Sequence, residues 1–235
     1  MEENKFIDRY FESDAILLKI EHCEKRTMTT FMNYLENLHS TADKLKDKFN
    51  CNIKNIPEFV ILRVIRNYFH HVEDIEEYSM FVELEHWAIF ENDRHLIISM
   101  KDFALAIKSF KDNTRDARYV RKQIKLMNEY IENNILEEVN VLCTLPLFTI
   151  DGNDEEYEMG IDLFKYVYNI TNIIADRCRE IEELKSKNVI LELEYTFTSF
   201  YNISKRDLLV MPNNVPILTT KGFLFPNDKS SIRRV

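Results

Sequence analysis

The sequence predicts a mainly α-helical protein, and three observations carry that prediction. Apolar residues recur at spacings of three and four through most of the 235 residues. Chain punctuation is sparse: 3 Gly and 5 Pro leave too few turn formers for a many-turned all-β protein. Hydrophobic residues make up 45% and charged residues 30%, a globular balance that at this length buries an ordinary core.

The elements follow in order. From Asp14 to about Lys48, Ile16, Leu17, Ile20, Phe31, Tyr34, Leu35, Leu38 and Leu45 trace one long amphipathic helix, with a candidate interruption at Thr27-Met28-Thr29-Thr30. The segment Cys51 to Ile56 ends it, and Pro57 suits the first turn of a second helix. Phe59, Leu62, Ile65, Phe69 and Val72 form the inward arc of that helix. Between Met80 and Ile98 the period is lost, and the run fits a short hairpin or a helix followed by a loop, with the hairpin favoured. Ser99 and Asp102 form a capping box for a helix to about Lys111, and Asn113 with Asp116 opens another to about Leu142. Pro146 and Asp151 to Asp154 mark a loop.

A further helix runs from Ile161 to about Lys187. After it the period becomes two, Ile190, Glu192 and Glu194 alternating with Leu191, Leu193 and Tyr195, which predicts a strand or ribbon. Met211 to Asn214 can turn a hairpin before Val215 to Thr220. The expected organisation is a helical body over 1–188, with a possible hairpin at 80–98, and a small β appendage with a basic tail over 189–235.

Acidic residues outnumber Lys and Arg by 40 to 31, so contact with nucleic acid requires a local basic stripe. No apolar run approaches the roughly 20 residues of a membrane span, and Met1 to Tyr10 is too charged for a signal peptide. A cytoplasmic protein without membrane contact is expected. Cys23, Cys51, Cys143 and Cys178 are far apart and form no C-x-x-C pair, so they read as reduced structural thiols.

One run stands above this background: Arg66-Asn67-Tyr68-Phe69-His70-His71, in the second helix, matches R-N-x-x-x-H. By chance that pattern arises in only about 0.03 chains of this composition, with Asn67 supplying most of the discrimination. The run resembles the motif of HEPN-domain ribonucleases, an all-helical family that includes toxins and anti-phage effectors. The resemblance covers these six positions and implies a HEPN-like helical bundle, a homodimer with two facing motifs, and RNA as substrate. It also implies a metal-independent endoribonuclease restrained by a cognate antitoxin or regulatory protein, with no cofactor and no metal.

The residue types suit that chemistry. Attack by a substrate 2′-OH needs a group that moves protons near neutral pH and one that holds charge on the phosphorus. Histidine meets the first need and the permanently charged fork of arginine the second. Asn67 can orient either. On a regular helix Arg63, Arg66, Asn67, His70 and Asp74 fall within about 100° of one another and are read as a polar stripe opposite the apolar arc, and His71 lies about 140° from Arg66. The motif register nominates His71 and the helix geometry His70. The bland alternative is a solvated helix face on which Arg66 pairs with Glu73 or Asp74.

Arg115, Arg118, Lys122 and Lys125 recur at three and four and form the best basic stripe, a candidate RNA-binding track with Arg121 beside it. Tyr119 and Tyr130 in the same helix can stack a base or serve the core. Glu36 with His39 and Glu83 with His86 have the Glu-x-x-His spacing of di-iron bundles, yet a chain this rich in Glu yields nearly one such pair by chance. P-loop, dinucleotide-binding, nucleophile-elbow and zincin motifs are absent. The competing functional class is a non-catalytic helical interaction module: an adaptor, antitoxin-like partner or sensor subunit.

Overall fold

The computed structural model describes residues 4–18, 25, 27–69, 76–80, 83–84, 88–89, 93–131, 147–150, 157–158, 160–196, 217–219, 222–224 and 232–234. These are mainly helical. The helices are α1 (Lys5–Leu18), α2 (Met28–Phe49), α3 (Pro57–Phe69), α4 (Met100–Asn113), α5 (Ala117–Ile131), α6 (Leu163–Arg179) and α7 (Asn188–Thr196). Short strands accompany them: β1 (Glu76–Met80), β2 (Glu83–Leu84), β3 (Ala88–Ile89), β4 (Asp93–Ser99), β5 (Leu147–Ile150), β6 (Tyr157–Glu158), β7 (Gly160–Asp162), β8 (Ile217–Thr219), β9 (Gly222–Leu224) and β10 (Ile232–Arg234). Strand β4 pairs antiparallel with β1, Glu76 opposite Ile97 and Met80 opposite Asp93, and on its other edge with β7.

The long first helix expected from the period is two helices. Its break falls at the threonines, where Thr27 caps α2: the Thr27 side chain accepts from the Thr30 amide, and the Thr30 hydroxyl accepts from the Thr27 amide at 2.8 Å. This is a capping box with threonine in the position usually held by Glu or Gln. Helix α2 stops at Asn50, which adopts a left-handed conformation at φ 52°, a position asparagine tolerates better than most residues. The other product of the split, α1, begins nine residues before the predicted start at Asp14. Phe6, Ile7, Tyr10, Phe11 and Leu17 all turn inward, a helical spacing inside a segment that reads as merely charged.

Helix α3 is the centre of the described body. It packs against α2, α4, α5 and α6, while α1 packs on α2 and α6. Glu58 through Ile65 are buried without interruption, and Tyr68 follows them. Of the polar side expected opposite the apolar arc, Arg63 is enclosed while Arg66 and Asn67 are half-buried, so the expectation that Arg63 stands in solvent is wrong. The reason is in the same segment: Val60, Ile61 and Val64 fill the remaining faces, and a helix apolar all round has to be enclosed. Each of these aliphatic side chains, fully withdrawn from water, contributes roughly 1.5–3 kcal/mol.

Two further expectations are corrected. The helix from Ile161 starts at Leu163 and ends at Arg179, and turns occupy 180–187. The ribbon expected from Ile190 is instead the short helix α7 up to Thr196. Alternation would give Leu191 the inward side, yet Ile190 is fully buried and Leu191 is 42% exposed. The amides of Ile190 and Leu191 both donate to the Lys187 carbonyl, which starts the helical turn. Helix α5 is described to Ile131; the expected continuation to Leu142 and the loop from Asp151 to Asp154 lie outside the described residues.

Buried polar groups join the helices. Tyr10, Tyr34 and Thr171 share hydrogen bonds, Tyr10 to Thr171 at 2.9 Å, and the Thr171 hydroxyl donates to Asp14 at 2.6 Å. This cluster ties α1, α2 and α6. Burial pushes the pKa values of both tyrosines up, so both remain neutral donors. On the opposite flank Asn169 donates to the Tyr130 hydroxyl at 3.0 Å beside the buried Glu58, whose carboxyl pKa is raised by burial. Among the described residues no helix is long and apolar enough to cross a membrane.

Candidate functional site where α3 leaves the core

The last turn of α3 is where the central helix reaches solvent. Arg66, Asn67 and Phe69 are half-buried there, directly after the enclosed stretch. The arginine fork faces α2: Nε donates to Glu36 Oε1 and Nη2 to Glu36 Oε2, both at 2.9 Å. This is a bidentate pair, stronger and more directional than a single-point contact. It is partly open to water, with the Arg66 side chain 24% and the Glu36 side chain 48% exposed. Among the described residues Arg66 thus takes its partner from another helix. His70 and His71, the two candidate proton carriers, lie outside the described residues, as do Glu73 and Asp74.

One turn earlier Arg63 has a different environment. Its Nη2 donates to Gln123 Oε1 at 2.9 Å, and Nη1 donates to the Tyr119 hydroxyl. The guanidinium stacks on the rings of Tyr119 (5.1 Å), Phe110 (5.4 Å) and Phe59 (5.8 Å). Gln123 passes the chain on, donating to Asn55 Oδ1 at 3.1 Å. Burial lowers the Arg63 pKa from its usual range, but a guanidinium remains a cation at neutral pH. Aromatic faces and neutral oxygens hold this charge, and Arg63 Nε has no hydrogen-bond partner among the described residues.

Sequence reasoning weighed His39 only as a di-iron ligand beside Glu36. It lies one turn after Glu36 on α2, its ring centroid 5.1 Å from that of Phe59. Burial is the main reason its pKa drops to about 4, and the charges of Arg66 and then Arg63 push the same way against Glu36 and Asp43. The imidazole is therefore neutral at neutral pH, with Nε2 buried and unbonded. The Glu-x-x-His spacing of Glu36 and His39 signalled that both project toward one neighbour. That neighbour is α3, where Glu36 meets Arg66 and His39 packs on Phe59. The side chains of Glu83 and His86 lie outside what is described.

The candidate RNA track is intact as a surface. Arg115, Arg118, Arg121, Lys122 and Lys125 are all exposed. Asp116 caps α5, accepting from the amides of Arg118 and Tyr119 at 2.9 and 3.1 Å, so that acid is occupied at the helix start. Tyr119 and Tyr130 are half-buried and their hydroxyls belong to the internal networks. Cys51 is half-buried and Cys178 buried; both are free thiols, and burial raises the pKa of Cys178 to about 12. Comparison with protein-family models, with curated proteins and with solved structures finds no match.

Proposed function

We propose that the chain is a metal-independent endoribonuclease whose site forms at the end of α3, and that it works as a toxin or anti-phage effector. The carrying observation is that Arg66 emerges from a buried helix with its fork aimed and partly open to solvent. In this reading the substrate 2′-OH attacks the adjacent phosphorus, a bond to the 5′ oxygen breaks, and a cyclic 2′,3′-phosphate forms. Arg66 neutralises the charge that grows on the non-bridging oxygens. His71 or His70 takes the 2′ proton or returns one to the leaving oxygen, and Asn67 orients the phosphate or the imidazole. The motif resemblance supports a homodimer with two facing motifs, held in check by a partner.

The test is cleavage of a mixed RNA pool in EDTA by wild type, Arg66→Ala and His71→Ala prepared identically, with product ends analysed. The expected result is cyclic phosphate ends from wild type alone. RNA left equally intact by all three would instead favour the interaction module. One observation supports that second reading: Glu36 already fills the Arg66 fork, as in a structural ion pair.

A further inference from the structure

The bend between α4 and α5 concentrates positive charge in a chain whose net charge is -9. From Lys108 to Lys125 there are seven basic side chains and two acidic ones, Asp112 and Asp116. Lys108 and Lys111 stand exposed in the last turns of α4, and Arg115 in the short connection. On α5, Arg118, Arg121, Lys122 and Lys125 occupy an arc of about 100°, opposite the buried Val120, Gln123 and Met127. Among the described residues Lys125 pairs with Glu129 at 3.5 Å, and no other basic side chain of this set has an ion-pair partner. Leaving six exposed like charges unpaired on one hairpin is an electrostatic cost that a polyanion relieves.

We propose that the α4–α5 hairpin is a docking surface for the phosphate backbone of a nucleic acid strand, separable from any cleavage at α3. Along the α5 axis Arg118, the adjacent Arg121 and Lys122, and Lys125 fall at steps of about 4.5–6 Å, so one extended strand can meet several at once. Three of the five cations from Arg115 to Lys125 are arginines, whose forks fit phosphate oxygens. The hydrogen bonds that Arg63 donates to Tyr119 and Gln123 fix the inner side of α5 to α3, so the face is presented on a rigid support. The proposal does not rest on the ribonuclease reading, because contacts to phosphate need no chemistry at the strand.

The test measures anisotropy of a labelled 20-nucleotide 2′-O-methyl RNA, which lacks the hydroxyl needed for cleavage. Wild type is compared with Arg118→Glu/Lys122→Glu and with a control of equal charge change on other surfaces, Lys25→Glu/Lys46→Glu. The α5 variant is expected to bind at least about tenfold more weakly and to show a salt slope shallower by about 1.4, as for two lost single-strand phosphate contacts. The control should change affinity less than about threefold, as expected for charges outside the contact. If the α5 variant loses its cooperative melt, Arg118→Gln/Lys122→Gln replaces it. Equal weakening by the two variants, unchanged binding by both, or competition by polyglutamate as strong as by RNA would each overturn the proposal, the last in favour of an acidic protein partner. Since the probe is uncleavable, loss of cleavage in the EDTA assay leaves this result untouched.

Discussion

Arg63 and Arg66 sit one turn apart on the same helix and have opposite fates. Arg63 is enclosed by three aromatic rings and two neutral oxygens and serves as a cross-brace between α3 and α5. Arg66 meets a carboxylate at the rim of the bundle and keeps part of its surface in water. The difference teaches that the role of a charged residue on a central helix is set by what covers it, not by its angle on a helical wheel. A buried guanidinium has lost its hydration, so removing its partners or its stem is expensive. A rim pair loses little when broken, because water replaces either member.

The comparison can be broken most sharply at Arg63. Arg63→Ala should cost about 3 kcal/mol in urea unfolding, from the cavity and the orphaned Tyr119 and Gln123 groups, whereas Arg63→Met, which refills the cavity but leaves the same groups orphaned, should cost about 1–2 kcal/mol. If alanine were as mild as methionine, the brace would not exist. Next in size is His39. Its pKa is about 4 folded and about 6.5 unfolded, so the unfolded chain holds more protons between those values. Its contribution is complete above about pH 6.5 and falls as pH drops toward 4, by roughly 2–3 kcal/mol. Glu58, raised by burial, acts with the opposite sign, so the readout is the difference between wild type and His39→Phe across pH 4–7. A parallel course for the two proteins would refute the assignment.

Smaller effects sharpen the rim. Glu36→Ala and Arg66→Ala should each shift stability by less than about 1 kcal/mol in thermal melts, while Arg66→Ala removes the proposed cleavage altogether. Smallest of all, Arg118→Glu/Lys122→Glu should leave stability within about 0.5 kcal/mol of wild type at moderate salt. A large loss there would mean that α5 is held by those charges and not by its inner face.

How much of this was legible before the structure depends on the residue. The helical class and the first turn at Pro57 follow from local chemistry, and both appear, whereas the helix start expected at Asn113 falls at Asp116, which caps α5 while Asn113 ends α4. The break at Thr27 was visible as a candidate because threonine competes for backbone amides. Arg63 was misplaced by weighing one apolar arc and passing over Val60, Ile61 and Val64, which announce a helix enclosed on every side. Helix α7 was misread because nine residues are too few to separate a period of two from one of 3.6. The Arg66 contact with Glu36 could not be read at all, since pairing across 30 residues depends on how α2 and α3 cross. Exposure of the α5 stripe was legible, as the basic positions and the apolar ones fall on opposite faces of a single helix.

The polar cluster of Tyr10, Asp14, Tyr34 and Thr171 has a consequence for how the chain is made. Tyr10 and Thr171 are separated by 161 residues, so on the ribosome α1 and α2 emerge long before the hydroxyl that completes their contact. Until α6 is synthesised, the Asp14 carboxylate and the Tyr10 hydroxyl lack the Thr171 contact, which leaves the pairing of the first two helices incomplete. The body is therefore expected to assemble late and all at once, and a nascent chain arrested before Thr171 should present α1 to proteases that the finished protein resists.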